Sequence, residues 1–320
     1  MSSLTPTASL SGSVGKMAAD RRRRNWNKAG LVIFMVLPGM VLFFLFVLIP
    51  IFQSVVFSLY KWNGFGPPEI FWELKNFEQL FKHKAFHAAL WHTLAFVALS
   101  LSIQLPLAMG LALLVGRGKL PGRRVFRLML FVPYVFSEII TAIIWRYVLD
   151  PKSGLINVVI GTLVPGYQPI AWLGEQNVVV LAIFFVLTWK YFGFYMILYM
   201  AALQSIPSDL EDAARIDGAS ERQVLWNVTL PMVGPTIRLT GFLAVLGSIQ
   251  QFVIVWVMTQ GGPVDYSETL GTYVYKYGIQ RLQLGYGSAV AVTLFVITLV
   301  FSLAYQFFVL RRDYQDTRGA

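Results

Sequence analysis

Residues 206–231 read IPSDLEDAARIDGASERQVLWNVTLP and form the most polar long stretch of a chain that is otherwise strongly apolar. Ala213 and Ala214 favour a short helix, Asp209 can cap that helix, and Gly218 can supply the left-handed residue that ends it. A second amphipathic segment occupies the rest of the stretch. The pattern predicts a helical loop in water, joined at both ends to apolar segments.

The apolar segments around this loop are long enough to cross a membrane. Of the 320 residues, 56% are hydrophobic and only 13% are charged. The apolar residues gather into runs of about 20, the length that a ~30 Å hydrocarbon core requires. Because backbone groups in hydrocarbon need partners within their own segment, these runs favour helices. The sequence predicts an all-α membrane protein with six transmembrane helices, at 31–57, 89–115, 126–149, 178–203, 236–260 and 286–310.

The basic residues indicate on which side of the membrane each loop lies. Sixteen of the 26 Lys and Arg residues are on the inner side if the N-terminus is cytoplasmic, and seven are on the outer side. The positive-inside rule therefore predicts that both termini and the 206–231 loop are cytoplasmic. We expect a disordered basic tail at 1–28, a transmembrane domain at 29–310 and a second cytoplasmic tail at 311–320.

Several functional classes are excluded or disfavoured by the sequence. The net charge of +10 does not indicate nucleic acid, because the basic residues lie at membrane ends. There is no cysteine, no HExxH or GxSxG pattern and no GxxxxGK[ST] phosphate loop, so the chain lacks the usual signatures of a metalloprotease, a hydrolase or an ATPase. His83 and His87 lie four residues apart in a predicted interfacial helix at 76–91, but a third metal ligand is not evident, and we expect no metal site.

Polar residues at membrane depth are functional candidates. Tyr191, Phe194 and Tyr195 occupy neighbouring faces of the fourth predicted span, and Ser248 and Gln251 share one face of the fifth. Aromatic rings can stack on the apolar faces of sugars, while amides and hydroxyls bind their rims, so these residues suit a carbohydrate path. Packing and hydrogen bonding between helices is the alternative interpretation.

Two charged residues, Glu138 and Lys190, are placed near mid-depth of the third and fourth predicted spans. An unpaired charge there costs at least about 2.5 kcal/mol on insertion scales. We therefore expect either a direct ion pair between them or exposure of both to an aqueous path. In the second case Lys190 joins the candidate path residues and could meet an anionic substrate.

The 206–231 loop resembles the EAA motif of the permease subunits of ATP-binding-cassette importers. That motif reads Glu-Ala-Ala, three residues, Gly, nine residues and Ile-x-Leu-Pro, and this chain has Asp212-Ala213-Ala214, Gly218 and Val228-Thr229-Leu230-Pro231 at the same spacings. Asp212 replaces the usual Glu, with Glu211 just before it. The resemblance implies a type I importer permease architecture in which this loop forms a cytoplasmic coupling helix that fits a groove on an ATPase subunit. The residues so implicated in coupling are Glu211, Asp212, Ala213, Ala214, Arg215, Asp217, Gly218, Leu230 and Pro231.

The resemblance covers nearly the whole chain after residue 30 and is closest to the carbohydrate-uptake branch, the maltose, lactose and multiple-sugar permease family. It is carried by the segments 127–133, 204–207 and 259–263 and by Glu268-Thr269-Leu270. Glu138 departs from the branch, whose members often have apolar residues or proline there. His92 is another departure, where Asn is common.

The resemblance also implies an assembly and a location. It implies a multi-pass protein of the bacterial inner membrane that forms half of a sugar or oligosaccharide path and is not itself an enzyme. The partners would be a second homologous permease, two ATPase subunits and an extracytoplasmic solute-binding protein. ATP and Mg²⁺ would be used by the ATPase subunits, and no cofactor would be bound by this chain. An importer of a phosphate ester such as glycerol phosphate, an importer of an amino acid, and a secondary transporter remain alternatives.

Overall fold

A computed structural model describes residues 30–116 and 122–311. The predicted tail at 1–28, and all but the first residue of the predicted tail at 311–320, lie outside the described residues. The chain divides into two compact units, residues 1–56 and 57–320. The described part of the first unit is helical and belongs to helix α1 (Gly30–Phe57), which contains the π-helical turn Phe44–Leu48.

The second unit is almost entirely helical. A short antiparallel hairpin, which the sequence did not predict, pairs strand β1 (Tyr60–Lys61) with β2 (Ile70–Phe71). The helices that follow are α2 (Lys75–Lys82), α3 (Lys84–Gly116), α4 (Arg123–Val135), α5 (Glu138–Val148), α6 (Leu155–Leu163), α7 (Val179–Gln204), α8 (Ser208–Ile216), α9 (Glu221–Met232), α10 (Gly234–Ile249), α11 (Val253–Thr259), α12 (Leu270–Tyr273, continued by the π-helix Val274–Gln280) and α13 (Leu284–Leu310).

The described helices fit the predicted number of spans, but two spans are not continuous. Helices α1, α3, α7 and α13 are each long and apolar enough to cross a membrane. Two bent pairs also qualify, α4 with α5 at 100° and α9 with α10 at 64°, and counting each pair as one span gives six. The predicted uninterrupted helix at 126–149 is therefore wrong, and so is the one at 236–260, because α10 ends at Ile249 and α11 begins at Val253.

The predicted interfacial helix at 76–91 is also divided. His83 has an extended backbone (φ −79°, ψ 119°) and separates α2 from α3, so His83 and His87 do not share a helix. The Nδ1 atom of His83 lies 2.7 Å from the Tyr273 hydroxyl, and Nε2 of His87 lies 2.7 Å from the Phe81 carbonyl. The described residues contain no group of three His, Cys, Asp or Glu side chains arranged for a metal ion.

Helix α7 is the centre of the second unit. Its most apolar 18-residue window is 56% buried, against 28% for α3 and 17% for α13. The C-terminal half of α3 and the whole of α4 pack against α7, and α11 packs against α5. A separate apolar cluster joins α2, the start of α3, α12 and α13. Helix α7 is thus the most buried of these three helices, and α3 and α13 leave more of their surface for lipid or partner proteins.

Gly193 permits the closest approach between α7 and α4. A Cβ atom at Gly193 would collide with the carbonyl oxygen of Leu130 and lie 3.1 Å from Cα of Phe131, both of which are backbone atoms that cannot rotate away. We expect Gly193→Ala to lower the free energy of unfolding by about 1–3 kcal/mol, as overpacking of a tight interface does.

The matched control is Gly110→Ala in α3, where a new Cβ meets no atom within 4 Å. This substitution should be neutral or should stabilise the helix by up to about 1 kcal/mol. Thermal unfolding of the two purified variants in the same detergent measures the difference, and equal melting temperatures would show that α4 and α7 do not approach as described.

Candidate functional site

The bend between α4 and α5 leaves backbone carbonyl groups without partners in a helix. Helix α4 carries Pro133 in its last turn. Ser137 is the N-cap of α5, and its hydroxyl accepts a hydrogen bond from the N–H of Ile140 at 3.2 Å. The ammonium of Lys190 on α7 donates to the carbonyl oxygens of Phe136 at 2.5 Å and Tyr134 at 3.3 Å. A side chain from the central helix therefore satisfies the broken backbone, as hydrocarbon requires.

Glu138 is the first residue of α5 and faces a different partner. Its carboxylate accepts a hydrogen bond from the hydroxyl of Tyr191 on α7. Glu138 and Lys190 both lie in the described part of the chain, and they form no ion pair there. The expected direct pairing is wrong, because the bend presents carbonyl oxygens to the ammonium before the carboxylate can reach it.

A second break, at residues 250–252, separates α10 from α11. The backbone carbonyl of Gln251 accepts a hydrogen bond from the Thr269 hydroxyl at 2.8 Å. Thr269 and Glu268 are fully buried, and the N–H of Leu270 donates to the Thr93 hydroxyl on α3 at 3.1 Å. The Glu268-Thr269-Leu270 segment therefore fixes the second break against α3.

The segment around Glu268 is held by charge as well as by hydrogen bonds. The ammonium of Lys276 donates to Glu268 at 2.9 Å and to Asp265 at 2.6 Å. Burial raises the pKa of the Glu268 carboxyl, against the opposing effect of the hydrogen bond from Lys276. His92, the departure from the family pattern, places its Nδ1 atom 3.2 Å from the Glu268 carbonyl. The buried carboxylate is thus paired with Lys276 through one oxygen, while His92 contacts the backbone of the same residue.

The two breaks face each other across a cavity of 260 Å³. Its polar and aromatic lining comes from α3, α5, α7, α10 and the second break, and consists of Ser100, Gln104, Glu138, Tyr191, Tyr195, Ser248, Gln250, Gln251 and Phe252. Gln251 is 7% exposed, and its amide nitrogen has no hydrogen-bond partner among the described residues. A buried donor that faces a cavity without a partner is a position where a polar ligand can bind.

Four of the six predicted path residues line this cavity, and two do not. Tyr191, Tyr195, Ser248 and Gln251 are brought together, whereas Lys190 lies behind the wall at the first break. Phe194 stacks on Tyr134 with ring centroids 4.9 Å apart and is not among the lining residues. Glu138 therefore faces this cavity and Lys190 does not.

Ser100 and Gln104 were missed by the sequence reasoning. They begin and end a π-helical turn of α3, and Ser100 lies 3.3 Å from Ser248, oxygen to oxygen. The amide of Gln104 donates to the Leu187 carbonyl at 3.3 Å. Two polar residues four positions apart in an apolar span were a signal that could have found them, because they share a helix face.

The loop that connects α7 to α10 contains the short helix α8. It ends as predicted: Gly218 has φ +88° in the left-handed region, and its N–H donates to the Arg215 carbonyl at 3.0 Å. The predicted cap is wrong, because Pro207 occupies the N-cap position and Asp209 lies within the first turn. Helix α9 starts at a capping box formed by Ser220 and Gln223.

Charged residues fix α8 against α9. Glu211 is 9% exposed and accepts a hydrogen bond from the Thr229 hydroxyl at 2.7 Å. Arg215 donates to Asp212 and to Glu221, each at 2.8 Å. The hydrogen bond from Arg215 holds the pKa of the Glu221 carboxyl below its usual value. Glu211 and Arg215 thus hold the two helices together.

The outer face of α8 is partly apolar. Ala213 and Asp217 are exposed, Ala214 is half-buried, and Ile216 is 86% exposed. Leu230 is half-buried and Pro231 is exposed near the end of α9. Ile216 was not predicted as a site residue, although it is a strongly exposed isoleucine on a short polar helix.

Residues 104–314 match the family model described as the binding-protein-dependent transport system inner membrane component. The chain belongs to this family. It is therefore a multi-pass membrane protein, in agreement with the expectation from its composition.

Several named relatives align with most of the chain. A probable ABC transporter permease protein of Bacillus subtilis is 33% identical over 87% of this chain and 95% of its own length. A diacetylchitobiose uptake system permease protein of Streptomyces coelicolor is 32% identical, with 88% and 83% covered. A trehalose/maltose transport system permease protein of Thermococcus litoralis is 30% identical, with 88% and 94% covered.

A solved structure shares the fold. A chain of a bacterial ABC transporter involved in the import of the acidic polysaccharide alginate superposes with a TM-score of 0.79 at 25% identity, covering 91% of this chain and 99% of that chain. The expected type I importer permease architecture is confirmed by this likeness.

The position of Lys190 yields a prediction about charge reversal. In the double variant Glu138→Lys with Lys190→Glu, a carboxylate at position 190 cannot donate to the carbonyls of Tyr134 and Phe136. An unsatisfied buried acceptor costs about 1–3 kcal/mol. We expect the double variant to be no more stable than either single variant, as measured by thermal unfolding.

Lys190→Arg and Lys190→Met form the matched pair for this test. The arginine keeps donors for the two carbonyls and should retain more stability than methionine, which has none. Recovery of wild-type stability in the double charge-reversal variant would instead indicate direct pairing of Glu138 with Lys190.

Proposed function

We propose that this chain is the permease subunit of an ATP-driven importer and forms half of the path for a sugar or oligosaccharide. The observation that carries the proposal is the cavity between the two breaks, where hydroxyl, amide and tyrosine side chains converge at membrane depth. Tyrosine rings can pack against the apolar face of a pyranose, while Gln251 offers an unused donor to its hydroxyls. Relatives named for diacetylchitobiose and for trehalose or maltose support a saccharide.

Helix α8 is the element proposed to receive the work of ATP hydrolysis. Its exposed Ala213 and Ile216 offer a small and an apolar contact for a groove on an ATPase subunit. The internal contacts of Arg215 and Glu211 make α8 and α9 one rigid piece, so a push on α8 is not lost in a flexible loop. The sequence has no phosphate loop, so two ATPase subunits bind ATP and Mg²⁺ in this proposal, and the chain itself holds no cofactor or metal.

The proposed assembly also contains a second homologous permease and an extracytoplasmic solute-binding protein. The second permease completes the path in this proposal. The distribution of Lys and Arg supports a cytoplasmic position for both termini and for α8, on the side where ATP is available. The cavity then accepts a sugar that the binding protein delivers from outside.

Gly218 lies between α8 and α9 and gives a direct test. A Cβ at this residue meets no atom within 4 Å, so the effect of Gly218→Val comes from the φ of +88° alone. A β-branched residue there costs about 1 kcal/mol or more, which we expect to displace α8 and uncouple transport. Asparagine tolerates the left-handed region better, so Gly218→Asn should lose less.

The measurement is ATP-dependent uptake of a labelled disaccharide into vesicles that contain the four-subunit transporter and its binding protein. The proposal requires uptake by the wild type, a large loss in Gly218→Val and a smaller loss in Gly218→Asn, at equal amounts of assembled protein. Uptake that requires an ion gradient instead of ATP would show that the protein is a secondary transporter and that the proposal is wrong. Wild-type uptake by Gly218→Val would remove the coupling role of α8.

A further inference from the structure

The described lining of the cavity between the two breaks contains one acidic residue and no basic one. Among the described residues that line it, Glu138 is the only Asp, Glu, Lys, Arg or His. The other polar lining groups are hydroxyls and amides, which can donate or accept without a net charge. A ligand in this cavity therefore meets one carboxylate and no cation in the wall.

The nearby cation is directed away from the cavity. Lys190 is 3% exposed, and its ammonium is engaged by the carbonyls of Phe136 and Tyr134. The same nitrogen lies 5.4 Å from the ring centre of Tyr191 and 5.8 Å from that of Tyr134. Lys190 offsets part of the negative field of Glu138, but it cannot contact a ligand without losing these partners.

The carboxylate is also fixed in position. Tyr191 donates to one of its oxygens, and Glu138 begins α5, where the N-terminal end of a helix favours a negative charge. Both features hold the carboxylate at the cavity wall. The acid is thus a built feature of the cavity.

We propose that Glu138 sets the charge preference of the path, so that the cavity accepts neutral and amino sugars and rejects acidic ones. This inference rests on the proposed saccharide function and specifies its substrate class. A uronate or a phosphate ester placed beside Glu138 meets a like charge in a partly desolvated site, whereas a protonated amine meets an opposite one. The fold itself does not decide this preference, since a transporter of an acidic polysaccharide shares it.

The test uses three disaccharides with one skeleton and different charges. Cellobiose is neutral, its glucosamine analogue is cationic and its glucuronate analogue is anionic. Binding of each is measured by calorimetry to the four-subunit transporter in nanodiscs without the solute-binding protein, whose own selectivity would otherwise dominate. We expect the wild type to bind the amino and neutral sugars and to bind the uronate more weakly.

Glu138→Gln keeps the size and the acceptor for Tyr191 while removing the charge. We expect the affinity for the uronate relative to cellobiose to rise on the order of tenfold, because a unit charge a few ångströms away in a partly screened site has been removed. The preference for the amino sugar should fall in the same variant. Glu73→Gln is the matched control, since Glu73 is exposed and lies outside the cavity lining, and it should leave all three affinities unchanged.

The outcomes separate the two proposals. If all three sugars bind equally, or if Glu138→Gln keeps the wild-type order with cellobiose binding intact, the inference about Glu138 is wrong while the saccharide function stands. If no saccharide binds to the wild-type transporter and none is taken up when the binding protein is present, the proposed function is wrong and the inference with it. Thermal unfolding of Glu138→Gln close to the wild type, together with retained cellobiose binding, shows that the variant is folded.

Discussion

A backbone that leaves the helical path inside a membrane must find partners for its polar groups within the protein. Two interactions meet this requirement here. Lys190 donates to the carbonyls exposed where α4 ends, and Thr269 donates to the carbonyl of Gln251 where α10 ends. Because other groups satisfy the backbone, the side chains at the breaks remain available to a ligand. The cavity therefore depends on the donors that α7 and the Glu268-Thr269-Leu270 segment supply.

The same arrangement connects the cavity to the polar loop. Helix α7 carries Tyr191 at the cavity and continues without a break to Gln204, four residues before α8 begins, while α9 and α10 return from the loop to the second break. Midway, the hydroxyls of Tyr199 on α7 and Thr240 on α10 lie 2.7 Å apart. In the proposed function, a displacement of α8 would be transmitted along α7 and α10, which are bonded to each other and both contribute residues to the cavity wall.

The number and approximate position of the spans could be predicted from the sequence, because runs of about 20 apolar residues have few alternatives in lipid. The left-handed Gly218 was also predictable, since it follows a short helix at the C′ position. The breaks were not, because Ser137 and Gln251 lie inside windows whose mean hydropathy is that of a continuous helix. Their partners, Lys190 and Thr269, are distant in sequence, and no local pattern relates them to the breaks they satisfy.

The candidate site was predictable to a similar degree. Tyr191, Tyr195, Ser248 and Gln251 were found as polar or aromatic residues at membrane depth, but the same criterion placed Lys190 in the path, since it does not say which group a charge will meet. In the structure, Lys190 donates to backbone carbonyls and Glu138 lines the cavity. In the 206–231 loop, likewise, the buried acid is Glu211, whereas the motif indicates the next residue, Asp212.

The most direct test of this account is a cryo-electron microscopy structure of the four-subunit transporter, trapped while it holds a disaccharide within the membrane. The account predicts saccharide density between the two breaks, with a hydroxyl within hydrogen-bond distance of the Gln251 amide nitrogen. Saccharide density elsewhere in the membrane, out of contact with both α5 and the 250–252 segment, would contradict it.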